Sequence, residues 1–205
     1  MPVDWRLRQV NRMHNRNLEE FYMTNTPSEN ESTIILAGGC FWCTEAAFEQ
    51  LKGVSNVESG YIGGDPQRAD YRSVCSGTTG HAEAIRITYD PTLIDFEQLL
   101  EVFFDAHDPT QLNRQGNDIG TQYRSAIFFA TPEEKATAEK VIARLNEAGK
   151  FPSPIVTQLE PRTEFFLAED YHQDYARLNP DQPYIQSVST PKVCKVRAKH
   201  GNLLR

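Results

Sequence analysis

The chain has 205 residues, with 28 acidic against 21 basic side chains and a formal net charge of −7. This balance argues against a nucleic-acid or anionic-membrane surface, because those partners attract an excess of Lys and Arg. The length and ordinary apolar content fit one globular domain with a sizeable core. No apolar run approaches the roughly 18 residues of a transmembrane helix, and no apolar secretory signal opens the chain, so we expect a cytoplasmic protein.

Residues 1–30 are polar and Arg-rich and end in a turn-forming linker, which predicts an N-terminal extension or arm. Residues 33–37 are short, apolar and β-branched, and predict a buried strand. Apolar residues recur at helical spacing from Ala47 to Leu51. The motif GGCFWC lies between this strand and this helix.

Cys40 in this motif is expected at a helix N-terminus, where unpaired N–H groups and the helix dipole favour a thiolate. Gly38 and Gly39 permit a sharp turn and a close approach to the sulfur. Phe41 and Trp42 would form an apolar wall beside it. The alternative that Cys40 and both aromatic residues only fill the core stays open.

Cys43 completes a C-x-x-C pair with Cys40, and one helical turn separates the two sulfurs. A modest local adjustment would bring them within disulfide geometry, which suits reversible redox chemistry. A zinc site would need a second such pair or closely spaced histidines, and the sequence has neither. Cys75 and Cys194 stand alone, and Cys75 is interpreted as a buried, inert thiol.

The later elements follow from strand periodicity, turn residues and helix caps. Asp95 and Gln98 predict a capping box, and Thr131 followed by a proline predicts a second helix start. A short helix is expected at residues 171–177, with an otherwise irregular segment to the end. The predicted elements are strands at 54–62, 82–89 and 123–130, helices after residue 95 and at 132–149, and an edge strand at 154–160.

The order strand, helix, strand, strand, helix, strand predicts an α+β fold. It matches the ferredoxin-like, split βαβ two-layer sandwich, in which helices cover one face of an antiparallel sheet. We divide the chain into an N-terminal arm at 1–30, a catalytic domain at 31–190 and a C-terminal tail at 191–205. Fold alone fixes no function.

Glu83 is the second notable residue, because strand alternation places it on one side with Ile85, Ile87 and Tyr89. On the core side, desolvation would raise the pKa of this carboxyl and keep a proton available for general acid catalysis. A strand-end glutamate with its carboxylate in solvent is the equal alternative.

Two polar loops hold further candidates. Tyr71 and Tyr123 could donate hydrogen bonds to an oxygen that gains negative charge, or could simply pack. Asp118 could orient such a network or cap a turn. His81 could act as a base, although a histidine satisfied by structural hydrogen bonds is the commoner case.

Six segments together resemble the peptide-methionine (S)-S-oxide reductase family, the A type of methionine sulfoxide reductase. The match runs in the family's order over about residues 33 to 190. The segments are GGCFWCTE at 38–45, GYIGG at 60–64, YRSVCSG at 71–77, GHAEA at 80–84, HDPT at 107–110 and RQGNDIGTQYRS at 114–125.

The resemblance implies a role for each candidate. Cys40 would attack the sulfoxide sulfur, and Glu83 would protonate the departing oxygen. Phe41 and Trp42 would hold the substrate methyl group. The remaining substrate-binding residues would be Tyr71, Asp118 and Tyr123.

The resemblance further implies that Cys40 becomes a sulfenic acid, which a second thiol converts to a disulfide. Thioredoxin would then reduce the disulfide by exchange. Substrates would be methionine sulfoxide, free or in oxidised proteins. No metal, organic cofactor, nucleic-acid or membrane partner is implied, and we expect a monomer.

The second thiol is where this sequence departs from the family pattern. Many members have Gly at the position of Cys43 and use cysteines in a flexible tail, whereas the tail here holds only Cys194. We favour Cys43, because closing a short loop needs little chain rearrangement. Cys194 remains the alternative. It would either attack the sulfenic acid of Cys40 directly or take over the disulfide from Cys43.

Three other functions fit parts of the sequence. A thioredoxin-like oxidoreductase would share the C-x-x-C pair, but its element order differs and Glu83 would have no task. A peroxide-reducing thiol enzyme would differ in its oxidant, and a metal-binding interaction module would carry metal when purified.

Overall fold

The computed structural model describes residues 30–205, so the predicted extension at 1–30 lies outside the described residues except for Asn30. The strands in this range are β1 Ser32–Gly38, β2 Val54–Ile62, β3 Ala82–Tyr89, β4 Arg114–Gln115, β5 Asp118–Ile119, β6 Ser125–Phe129, β7 Gln158–Pro161 and β8 Phe165–Leu167. The α-helices are α1 Phe41–Phe48, α2 Tyr71–Cys75, α3 Phe96–Ala106, α4 Pro132–Glu147, α5 Tyr175–Leu178 and α6 Thr190–Lys199. Shorter turns of helix include Thr121–Tyr123, Asp170–His172 and a π-helical turn at Ile185–Ser189.

Six strands form one mixed sheet in the order β7–β6–β1–β3–β2–β8, and β4 pairs with β5 in a small hairpin. Neighbours in the sheet are antiparallel except β6 and β7, which run parallel. The expectation of an antiparallel sheet therefore fails at this edge. The physical reason is α4, because a helical crossover returns the chain in the direction of the strand it left.

The strand register brings the end of β1 beside the start of β3. Leu36 pairs with Ile85 across these antiparallel strands, and Tyr61 of β2 pairs with Glu83. The turn that follows β1 therefore lies close to Glu83. The GGCFWC motif and Glu83 therefore meet at this end of the sheet.

Alternating residues of the sheet supply two apolar clusters. Ile34 and Leu36 join the large cluster with the apolar residues of α1 and α3. Ile35 and Ala37 point the other way into a small cluster that includes Phe128. The helical face is thus the main core, as expected for a sheet with helices over one face.

The C-terminal segment is helical and packed, which corrects the expectation of an irregular tail. Val196 of α6 is fully buried, and α6 contacts α1 and α3. Leu204 forms a backbone bridge with Leu51. Residues 32–205 form one compact unit, so residues 191–205 belong to the same body as the rest.

Asp105 near the end of α3 anchors α6. Its carboxylate accepts hydrogen bonds from Lys150, Lys199 and His200 at 3.3, 2.6 and 3.0 Å. Within the described range, no helix is long and apolar enough to cross a membrane.

Candidate active site

The turn after β1 presents Cys40 at the N-terminus of α1. Gly39 has φ of +89°, and a Cβ there would lie 2.5 Å from the Cβ of Gln115. Only glycine fits both the left-handed backbone and this close approach. Cys40 is the N-cap residue of α1, as the sequence predicted.

Glu83 lies beside this turn with its carboxyl in the protein interior. The residue is 2% exposed, and its Oε2 accepts a hydrogen bond from the backbone N–H of Phe41 at 3.2 Å. Burial raises the pKa of Glu83 to about 8, although the Phe41 hydrogen bond opposes the shift. The core-facing interpretation of Glu83 therefore holds, and its carboxyl is largely protonated at neutral pH.

A cavity of about 220 Å³ joins the thiol and the carboxyl. The family resemblance gave catalytic or substrate-binding roles to nine residues. Seven of these line the cavity, and Cys43 and Cys194 do not. The lining residues are Cys40, Phe41, Trp42, Tyr71, Glu83, Asp118, Tyr123, Gln182 and Tyr184.

Three tyrosines of the cavity are protonated hydrogen-bond donors. Burial, followed by nearby acidic groups, raises the pKa of Tyr71, Tyr123 and Tyr184 above the usual range. The Tyr184 hydroxyl donates to Oδ2 of Asp118 at 2.6 Å. Asp118 thus orients a phenol in the cavity wall.

An aromatic cluster fixes the indole of Trp42. The ring stacks on Tyr175 with centroids 3.9 Å apart, and its Nε1–H donates to Nδ1 of His172 at 3.2 Å. His172 is 1% exposed and also packs against Phe41 and Tyr71. Since Nδ1 accepts, the proton of the neutral ring lies on Nε2.

The two cysteines of the motif form a coupled pair, with Cys40 6% exposed and Cys43 fully buried. Burial raises the pKa of Cys40 well above its usual value, and Cys43 and Glu83 add to the shift. The pKa of Cys43 falls to about 7, first because the Cys40 thiol donates a hydrogen bond to it. Burial therefore favours the neutral thiol at Cys40, in contrast to the thiolate expected from its position at the helix N-terminus.

The remaining sequence candidates lie outside the cavity. Cys194 is exposed on α6 and lines a separate groove of about 390 Å³. The packed helix that carries Cys194 differs from the irregular tail that the sequence predicted. Cys75 is exposed rather than buried. His81 is satisfied by the N–H of Gly64 and the carbonyl of Asp65.

The sequence did not predict Gln182, Tyr184 or His172 as site residues. All three follow residue 168 in loops and short helical turns, where no periodicity indicates which side chains face the core. The run of aromatic residues between 165 and 184 was the available signal. In residues 30–205, no group of three or more His, Cys, Asp or Glu side chains could hold a metal ion.

Comparison with known proteins gives a consistent result. A family model described as peptide methionine sulfoxide reductase matches residues 32–203. Peptide methionine sulfoxide reductase MsrA of Deinococcus radiodurans is 54% identical over 179 residues, covering 87% of each chain. The MsrA of Chromobacterium violaceum is 54% identical over 171 residues, covering 83% of this chain and 97% of its own.

Solved structures agree with the sequence comparison. Reduced Mxr1 from Saccharomyces cerevisiae matches with a TM-score of 0.70 at 33% identity, covering 77% of this chain and 90% of that chain. Methionine sulfoxide reductase A of Corynebacterium diphtheriae matches with a TM-score of 0.64 at 38% identity, covering 75% and 77%. The residues matched by the family model include the whole cavity lining.

Proposed function

Because the chain belongs to the peptide methionine sulfoxide reductase family, we propose that it reduces the S epimer of methionine sulfoxide, free and in oxidised proteins of the cytoplasm, to methionine. The observation that carries this proposal is the single cavity in which a thiol, a protonated carboxyl and three phenols meet. Sulfoxide reduction needs a sulfur nucleophile and a proton donor for the departing oxygen, and both are present.

The cavity has an apolar side and a polar side. Phe41 and Trp42 are suited to the methyl group of the substrate, and their mutual packing, with centroids 6.3 Å apart, makes a continuous wall. Tyr71 and Tyr123 are suited to hydrogen-bond the sulfoxide oxygen, next to Glu83. Asp118 acts through Tyr184.

The first step transfers the oxygen to Cys40. The sulfur of Cys40 attacks the sulfoxide sulfur while Glu83 gives its proton to the oxygen, and the thiol proton of Cys40 replaces it. The attack forms a bond between the two sulfurs. The hydroxyl group then passes from the substrate sulfur to the sulfur of Cys40 as the substrate S–O bond and the new S–S bond break, so methionine leaves and Cys40 remains as a sulfenic acid. The overall exchange consumes one thiol and one sulfoxide and needs no further proton.

The second step resolves the sulfenic acid. The Cys43 thiolate attacks the sulfur of Cys40, the S–O bond breaks, and the oxygen leaves as water after gaining a proton. Burial of the Cys43 sulfur beside Cys40 and its pKa of about 7 support Cys43 over the exposed Cys194. A relay through Cys194 remains the alternative.

Thiol–disulfide exchange with thioredoxin would restore both thiols. The yeast relative Mxr1 has been solved in complex with Trx2, and we propose the same class of reductant here. We further propose a monomer that needs no metal or organic cofactor. For the fold, the order β6–β1–β3–β2 with antiparallel pairing supports a ferredoxin-like inner sheet.

The test is single-turnover and thioredoxin-driven reduction of both methionine sulfoxide epimers by the parent and by Cys40→Ser, Cys43→Ser and Cys194→Ser. We expect Cys40→Ser to be inactive, and Cys43→Ser to form one methionine per chain without cycling. Cys75→Ser is the matched control and should resemble the parent.

Other outcomes decide against parts of the proposal. Loss of cycling in Cys194→Ser alone would assign resolution to Cys194. Methionine formation by Cys40→Ser, or none by the parent on either epimer, would overturn the proposed function.

A further inference from the structure

Cys43 is enclosed by the C-terminal part of the chain. Its helix α1 packs against both the π-helical turn Ile185–Ser189 and α6. The side chain of Cys43 has no exposed surface. Any group that sets the protonation of this sulfur must therefore be a neighbouring protein group and not solvent.

Two polar atoms contributed by these elements lack hydrogen-bond partners among the described residues. They are Nζ of Lys192 and Oγ of Ser189, and both are shielded from solvent. An ammonium withdrawn from water without a compensating anion is unfavourable. Lys199, on the same helix, differs because it donates to Asp105.

The charge of Lys192 acts on Cys43. After the hydrogen bond from Cys40, and against the opposing effect of burial, the positive charge of Lys192 lowers the pKa of Cys43. The buried Lys192 ammonium, which has no hydrogen-bond partner among the described residues, therefore favours the anionic form of this sulfur.

Three other ionisable groups of the described residues, Glu83, Tyr184 and His107, belong to elements of this region, and none of them supplies a second cation. Glu83 on β3 is largely protonated, as described above, and Tyr184 keeps its proton. His107 on α3 lies near Lys192, but burial lowers its pKa to about 4, so this ring is neutral. Its nitrogens already contact the carbonyl of Phe103 and the hydroxyl of Ser125.

We propose that Lys192 is a positioning residue whose buried ammonium, carried by a helix packed against α1, holds the Cys43 sulfur as a thiolate. The thiolate is then ready to attack the sulfenic acid of Cys40. In the reverse sense, it is a good leaving group when an external dithiol attacks Cys40, because the electron pair of the broken S–S bond remains on Cys43. These two roles rest on the proposed function, whereas the ion pair itself does not.

The ion pair is tested without substrate. In the background Cys40→Ser, Cys75→Ser, Cys194→Ser, Cys43 is the one thiol left in the sequence, and thiolate absorbance at 240 nm follows its titration. Lys192→Met should raise the apparent pKa of Cys43 by about 1 unit or more, the usual effect of losing a nearby opposite charge. Lys192→Arg should restore the lower value.

Lys195→Met is the matched control, because Lys195 lies on the same helix with its side chain exposed. It should leave the titration of Cys43 unchanged. Circular dichroism identifies any variant that fails to fold, and Lys192→Gln then replaces Lys192→Met. An unchanged titration in the folded Lys192 variants, or an equal shift in Lys195→Met, would overturn the proposal.

A second measurement separates this inference from the proposed function. In a Cys75→Ser, Cys194→Ser background, Lys192→Met should form one methionine per chain as fast as its parent, while dimedone traps more Cys40 sulfenic acid below pH 8. Absence of methionine in that parent would overturn the proposed function alone. Equal trapping in both proteins would overturn the role of Lys192 in resolution.

Discussion

Glu83 is the residue on which the proposed proton transfer depends, and its burial sets a defined pH dependence. Its pKa of about 8 means that the donor is protonated below pH 8 and loses its proton above it. The single-turnover rate of the parent should therefore fall as the pH rises through 8. Glu83→Gln still accepts the Phe41 hydrogen bond but cannot donate a proton, so its rate should fall by about 10²–10⁴-fold.

Rapid-quench measurement of methionine between pH 5.5 and 9.5 checks this expectation. Glu58→Gln is a suitable control, because Glu58 lies on the neighbouring strand β2 in a partly exposed ion pair with Arg86. It should keep the rate and pH profile of the parent. A Glu83→Gln enzyme with an undiminished rate would exclude Glu83 as the acid.

His172 gives a second prediction, because it is the acceptor that fixes Trp42. His172→Leu leaves the indole N–H without that partner, and an unsatisfied buried donor costs about 1–3 kcal/mol. The indole should then lose its fixed orientation, and KM for methionine sulfoxide should rise several-fold with a smaller change in kcat. Steady-state kinetics with free methionine sulfoxide measures both constants.

His172→Asn is the conservative variant, since its amide oxygen can replace Nδ1 as the acceptor. It should recover much of the parent KM. If His172→Leu and His172→Asn raise KM equally, the hydrogen bond to Trp42 does not control substrate binding.

These residues differ in how far sequence could predict them. Strand alternation placed Glu83 on one face with Ile85 and Ile87 but left core and solvent as equal alternatives, and the structure places it in the core. The join of the strand and the helix predicted that Cys40 opens a helix, which is confirmed. The protonation of Cys40 was not predictable, because it depends on the depth of burial and on the hydrogen bond to Cys43. Tyr184 escaped detection because no regular spacing connects it to the motifs.

Among the elements, local signals predicted helix starts well. Asp95 and Gln98 form the expected capping box, and Thr131 caps α4, whose first residue is Pro132. The prolines near the C-terminus led us to predict an irregular segment, and this prediction was wrong. Pro191 lies in the first turn of α6, where proline is tolerated. The parallel pairing of β7 depends on a long-range crossover, which local sequence does not encode.

The docking of α6 onto α3 through Asp105 makes a prediction for these elements. Asp105 is buried, and its carboxylate accepts hydrogen bonds from Lys150, Lys199 and His200. Asp105→Asn removes the charge that holds the two lysines. Because both lysines are partly exposed, losing these charge-assisted hydrogen bonds costs about 1.5–3 kcal/mol. We expect a loss of that order in the free energy of unfolding and faster amide exchange over residues 190–199.

Urea denaturation and hydrogen exchange with mass spectrometry measure the two effects. Glu97→Gln is the control, because it removes an exposed ion pair with Arg144, and such pairs contribute about 1 kcal/mol or less. Unchanged exchange in α6 of Asp105→Asn would mean that apolar packing alone holds this helix.

For the whole molecule, buried ionisable groups limit stability on both sides of neutrality. Burial raises the pKa of Glu83 to about 8 and that of Glu45 to about 7. The folded state then holds more protons than the unfolded state between about pH 4.5 and 8, so stability falls as the pH rises through this window. The buried His107, with its pKa lowered to about 4, has the opposite sign: its contribution is lost as the pH falls from about 6.5 to 4.

The combination predicts a greater free energy of unfolding near pH 6 than at pH 8.5. Each unit of carboxyl pKa shift corresponds to about 1.4 kcal/mol, so Glu83 alone accounts for a difference of a few kcal/mol. Glu83→Gln should reduce the fall in the free energy of unfolding between pH 6.0 and 8.5. Glu45→Gln should reduce the part of this fall that occurs below about pH 7. Glu58→Gln should leave the dependence of the free energy of unfolding on pH unchanged. Urea denaturation of the four proteins at pH 6.0, 7.2 and 8.5 gives the comparison. If Glu83→Gln keeps the full decline, Glu83 does not gain its proton on folding, and the general-acid role loses its thermodynamic basis.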